Sequence, residues 1–185
     1  MVNSMRRPAH SLRAWWSRQR AEYSGQAHRP VAGYSLVLLA YFAGAVGFTG
    51  AARVTGRTPP RLGPGELTLL TIATHKISRA LAKDPVTSPL RVPFTRFEGV
   101  SGPSELHEEV RVSGMEHSLG ELVSCPFCLA PWVASGLFAG YTFFPGPTRA
   151  AVITYTVVAG SDFLQYAYST TQQRSTPPEQ RRQTG

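Results

Sequence analysis

Apolar and polar positions along this chain are segregated rather than interleaved. Polar residues crowd the first 30 positions, the middle from 83 to 121 and the last 15. Four stretches nearly free of charge lie between them. A helix on the surface of a soluble domain carries one apolar stripe and one polar face. Stretches that are apolar all round predict helices facing lipid. The pattern therefore predicts an all-α integral membrane fold with about four transmembrane helices. They fall at about 33–52, 66–82, 127–144 and 149–168, inside a membrane domain spanning 31–169. A basic cytoplasmic tail (1–30) precedes them, a long irregular cytoplasmic loop (83–121) divides them, and a disordered tail (170–185) follows.

The four spans differ in character. Gly33–Ala52 holds no charged residue in 20 positions, about the length that a bilayer core requires. Its Gly44, Gly47 and Gly50 recur every three residues, spacing that lets helices approach closely in lipid. The 66–82 segment is the most polar and carries His75, Lys76 and Arg79; lying on the surface is its alternative, which would leave three spans. Trp132, Tyr141 and Phe144 give the third span the aromatic residues favoured at membrane interfaces. The fourth is uncharged inside except for Asp162. Between the second and third, Pro85, Pro89, Pro93 and Pro103 exclude a continuous helix. There HEEVRVSG predicts a short strand, and MEHSLGELVS, from Met115, a short helix.

Charge adds an orientation. The net charge is +8, and 17 of the 19 basic residues are arginine. With four spans, thirteen basic residues fall on the side of the termini and long loop, and four on the other. The positive-inside rule then places the chain in the cell membrane as a multi-pass protein with both termini cytoplasmic. The positive charge sits at segment ends rather than on a nucleic-acid-binding fold, which makes nucleic acid an unlikely partner. In the N-terminal tail Arg6, Arg7, Arg13, Arg18, Arg20 and Arg29 surround Leu12, Trp15 and Trp16. This is either a membrane-surface helix on anionic lipid or a tail that only sets topology. No signal-peptide pattern is visible.

Two polar groups are candidates for chemistry. Thr71, His75 and Arg79 share one helix face, with Lys76 beside them. Ionisable residues in a span are expensive and point to function or to a partner. The expected partner is Asp162, in an Arg79–Asp162 pair with His75 nearby. The second group is Cys125-Pro-Phe-Cys128. This spacing suits a metal, a reversible disulfide at a helix start, or a reduced structural pair. His107 and His117 could complete a zinc set, and zinc is the one cofactor this reading admits. No Walker loop, dinucleotide fingerprint, nucleophile elbow or zincin motif appears.

Three blocks together, ATHKISRALAKDPVTSPLRVPFTRFEG from Ala73, ELVSCPFCLAPW from Glu121 and GSDFLQ from Gly160, resemble a bacterial membrane family known only as domain of unknown function 1360. The resemblance covers about Leu67 to Tyr168. It implies a multi-span membrane protein and carries no assigned activity. Ala130 stands where relatives usually have glycine. The leading expectation is a non-enzymatic scaffold or assembly component acting on the cytoplasmic side. Its partners would be the lipid bilayer and an unknown protein or a second copy. The alternatives are a cytosol-facing thiol-redox or metal-binding protein and, third, a small transporter.

Overall fold

Prolines and glycines set the helix boundaries of this chain, and a computed structural model places them. It describes residues 7–26 and 29–175, with the side chains of 7–11 and 175 outside that description. Helix α1 (Arg7–Ser24) ends at Gly25, whose φ of 49° is left-handed. Helix α2 (Val31–Val54) ends at Gly56, with the Arg57 amide donating back to the Ala52 carbonyl. Pro64 opens α3 (Pro64–Lys83), where Glu66 accepts from the Gly63 amide at 3.1 Å. Pro126 opens α5 (Pro126–Phe143), and Pro145 opens α6 (Pro145–Ser175). Proline suits these first-turn positions because its missing N–H would have no helical partner there.

The four expected apolar segments are thus all helical. Their directions alternate. Tyr41 stacks edge-on against Trp132 at 5.2 Å, and Phe48 meets Phe138 and Phe143 at 6.0 and 5.9 Å, so α2 and α5 run parallel. Thr156 Oγ1 donates to the Leu69 carbonyl at 3.0 Å and Lys76 meets Asp162 at 2.7 Å, so α3 and α6 also run parallel. A tight turn at Phe144 makes α5 and α6 antiparallel. In the link before α3, Arg57 caps the end of α5. Its Nη1 donates to the Phe143 carbonyl at 2.5 Å, and its guanidinium lies 5.9 Å from the Phe143 ring. A cation there complements the unpaired carbonyls of a helix C-terminus.

By length and composition, α2 is a helix long and apolar enough to cross a membrane. A second unit passes only as a pair, helix α4 (Gly114–Ser124) with α5, bent by 77° at Cys125. Four separate spans are therefore not established by helix length and composition.

The middle of the chain departs from the expected irregular loop. A 3-10 turn (Pro85–Leu90) leads into an antiparallel hairpin of β1 (Thr95–Gly102) and β2 (Glu105–Val110). Pro103 and Ser104 form its turn, Ser104 at φ 59°. Of the expected strand HEEVRVSG only His107–Val110 is strand, the last four residues of β2, and the expected short helix is α4. β1 escaped notice because its side chains are mostly exposed on both faces, so no alternation marks it. Helix α6 also continues past 170 to Ser175, into the segment expected to be disordered. Residues 176–185 lie outside the described residues.

Close packing depends on glycines other than the regular stripe. Gly44, Gly47 and Gly50 each face open space, contrary to the expectation of a tight helix contact. Close approaches occur at Gly140, where a Cβ would meet Thr148 Oγ1 at 2.6 Å, and at Gly33, where it would overlap Ser118 and come within 3.3 Å of the Met115 Cα. A Cβ at Gly120 would likewise meet Val110 Cγ1 at 2.6 Å. Backbone cannot yield as a flexible side-chain tip does. Gly33→Ala is therefore expected to lower stability by roughly 1–3 kcal/mol, as overpacking does. Gly44→Ala, with open space around it, is expected to be neutral or slightly stabilising. Thermal unfolding of both variants under the same conditions checks this.

Candidate functional site

The chain's polar side chains gather at one end of the helix group, where α3 ends, α4 lies and α5 begins. At its centre is Arg91, a side chain with no solvent exposure. The 3-10 turn brings it back under the last turn of α3. There Nη1 donates to the Leu81 carbonyl at 2.7 Å and to Thr87 Oγ1 at 2.8 Å, and Nη2 donates to the Asp84 carbonyl at 3.0 Å. Nε donates to Glu108 Oε2 of β2 at 2.5 Å, and Glu108 is itself only 5% exposed. One guanidinium thus caps α3 and bolts the hairpin to it. Burial of this kind requires that charge and donors both be matched. Arg79, one turn earlier on α3, makes a two-pronged bond to Glu105, with Nε and Nη2 each 2.6 Å from a carboxylate oxygen.

A second cluster ties α2 to α4. Glu121 accepts from Arg29 at 2.8 Å and from the Tyr34 hydroxyl at 2.5 Å, and His117 Nε2 lies 3.3 Å from the same carboxylate. The other ring nitrogen of His117 lies 3.0 Å from the Val112 carbonyl. Hydrogen bonding to Tyr34, followed by the nearby charges, raises Arg29 above its ordinary value. Glu98 does the same for Arg96 through a hydrogen bond and its charge. Beside Glu121 a groove of about 520 Å3 opens between α2 and the α4–α5 bend. Tyr34, Tyr41, Leu122, Cys128 and Trp132 are among its lining residues.

The sequence-predicted residues fall into this frame unevenly. Cys125 and Cys128 are near each other and free. Cys125 Sγ accepts the Cys128 amide at 3.3 Å and so caps α5, while Cys128 is exposed. His107 points out from β2 and His117 belongs to the Glu121 cluster, so neither completes a metal set with the cysteines. Among the described residues no three His, Cys, Asp or Glu side chains converge to hold a metal.

The expected Arg79–Asp162 pair is corrected. Asp162 takes Lys76, at 2.7 Å, and Arg79 takes Glu105. The reason is the hairpin. It brings a carboxylate to the last turns of α3, where Arg79 lies, and leaves Lys76, further from the helix end, to face α6. His75 is exposed on α3. Of the tail arginines, Arg13 and Arg18 are exposed, Arg20 is half-buried and Arg29 is engaged with Glu121. Arg6 and the side chain of Arg7 lie outside the described residues.

Sequence reasoning missed Arg91, Glu108 and Glu121 as structural centres. Arg91 lies in a proline-rich link, and its partner Glu108, 17 residues on, leaves no local signal. The His117–Glu121 spacing of four within a predicted helix was the one legible cue.

These features define a class: a helical protein in which a hairpin is pinned by buried ion pairing to the end of a helix group. Residues 69–168 match the family described as protein of unknown function (DUF1360), and the chain belongs to it. Sporulation protein YjcA of Bacillus subtilis (strain 168) is 22% identical over 102 residues, covering 54% of this chain and 86% of that protein. No solved structure matches.

Proposed function

We propose that this chain is a multi-pass integral membrane protein whose helices α2, α3, α5 and α6 cross the bilayer in alternating directions, with the hairpin, α4 and both termini in the cytoplasm. The observation that carries this reading is an inverted pattern of burial. Among the described residues the buried apolar ones are Ala52, Ala73, Ala80, Ala82, Val152 and Ala159, nearly all small. Large apolar residues such as Leu39, Phe42, Val46, Val157, Phe163 and Leu164 face outward. In water that surface would drive association. In lipid, where hydrocarbon is as apolar as leucine, small residues belong inside and large ones outside.

On this reading the protein acts as a non-enzymatic scaffold or assembly component that presents the hairpin platform to the cytoplasm. Support comes from how its ionisable groups are used: Lys76–Asp162, Arg79–Glu105 and Arg91–Glu108 are separate pairwise ties between elements, which suits a rigid platform better than a proton relay. The name of the Bacillus subtilis relative supplies sporulation as the process to examine.

Fractionation and labelling test the topology. The protein is expected to stay with membranes in alkaline carbonate. In a C125S/C128S background, an impermeant maleimide is expected to label Arg61→Cys on intact cells and Ser101→Cys only after lysis. Release by carbonate would overturn the membrane reading, and labelling of Ser101→Cys on intact cells would overturn the orientation. For the scaffold role, deletion in the protein's own host is expected to lower the yield of heat-resistant spores, with rescue dependent on an intact hairpin. Full yield without the gene would reject that role.

A thiol role is the second reading, favoured by an exposed Cys128 whose amide donates to Cys125 Sγ at a helix start. Slow alkylation of the oxidised protein, reversed by reductant, together with loss of function in Cys→Ser variants would support it. Free alkylation and full function would dismiss it.

A further inference from the structure

Among the described residues, helix α1 is the one element whose outward face combines tryptophan with arginine. At 100° per residue, Leu12, Trp15, Trp16 and Tyr23 fall within one arc of about 100°. All four are exposed, and the two indoles lie 6.0 Å apart. Arg13 and Arg20 flank one edge of that arc and Arg18 lies beyond the other. The helix holds four arginines against the single acid Glu22. Gly25 then turns the chain, and a few residues later α2 begins, with Arg29 fastened to Glu121.

We propose that α1 docks on an anionic lipid surface, its Leu12–Trp15–Trp16–Tyr23 face in the headgroup layer and Arg13, Arg18 and Arg20 on lipid phosphates. The proposal rests on the membrane reading above. Two observations select lipid over other partners. The exposed apolar arc is flanked on both sides by cations, the arrangement of an interfacial helix whose basic side chains reach up to headgroups. The helix also ends only six residues before α2, the helix long and apolar enough by itself to cross a membrane, so a bilayer lying at that end would meet it. Basic residues near such a surface each add attraction that falls off within a Debye length. The contact should therefore weaken as salt rises.

The full chain reconstituted in vesicles tests this, with Trp132→Phe leaving Trp15 and Trp16 as reporters. Brominated lipids are expected to quench them more in vesicles containing phosphatidylglycerol than in phosphatidylcholine alone, and salt should reduce the difference. Changing Arg13, Arg18 and Arg20 to glutamine should bring quenching down to the neutral-lipid level. Tryptophans unquenched in both vesicles, or quenched equally with and without the arginines, would overturn the proposal. So would tryptophans shielded only when a host protein is added. A companion W15F/W16F variant reports from Trp132 on α5. If Trp132 stays unquenched while Trp15 and Trp16 respond to lipid charge, the spanning reading fails and the docking of α1 stands. If Trp132 is quenched and the α1 tryptophans are silent, the reverse holds.

Discussion

Replacing Arg91 by methionine is expected to release the β1–β2 hairpin from the end of α3, at a cost of about 3–5 kcal/mol. The size follows from what is left behind. Arg91 has no exposure, and its guanidinium serves Glu108, Thr87 and the carbonyls of Leu81 and Asp84 at once. Without it the Glu108 carboxylate is buried with no countercharge, and last-turn carbonyls of α3 lose their donors. A buried pair need not be stabilising in itself, however. The double variant R91M/E108L removes both charges, so it should recover much of the loss that R91M alone incurs. Hydrogen exchange across residues 95–110, with thermal unfolding, reads both effects. An unchanged melting temperature and protected hairpin amides in R91M would refute the role assigned to Arg91.

The next largest effect is expected at Lys76 and Asp162. Their ion pair of 2.7 Å joins α3 to α6, the two least apolar of the four proposed spans. In the proposed bilayer, removing one partner strands the other charge, and an unpaired Lys or Asp at depth costs roughly 2.5–3.5 kcal/mol on insertion scales. Asp162→Leu should therefore reduce membrane insertion and accumulation sharply. Exchanging the residues, K76D/D162K, should restore much of it, because the geometry between the helices is retained. If D162L accumulates and melts like the wild type, the pair is a surface contact, and α3 and α6 need another explanation for their side-by-side packing.

The helices were legible in the sequence because their signals are local. Twenty uncharged positions from Gly33 to Ala52, and the apolar runs at about 127–144 and 149–168, report helix character from neighbours alone. The hairpin was half legible. β2 carried a strand signal, whereas β1 is exposed on both faces and is held by its partner rather than by its own pattern. Of the candidate polar residues, Lys76, Arg79 and Asp162 each have an ion-pair partner, whereas His75 is exposed. Which partner each takes was not in the local pattern. Asp162 and Arg79 looked matched by depth until the hairpin placed Glu105 beside Arg79.

The basic N-terminal segment, the four helical segments, the cysteine pair and the family relationship are properties of the sequence by itself. Each depends on residue identity within a short window. Tertiary structure alone decided which glycine bears a close contact, which carboxylate neutralises which cation, and that an arginine in a proline-rich link becomes a buried bolt. Those outcomes depend on where distant segments meet, and burial turns a side chain's cost in isolation into a requirement for one particular partner. For the same reason small residues lie inside this fold and large apolar ones outside. Composition is indifferent to that distribution, and the assembled helices supply it.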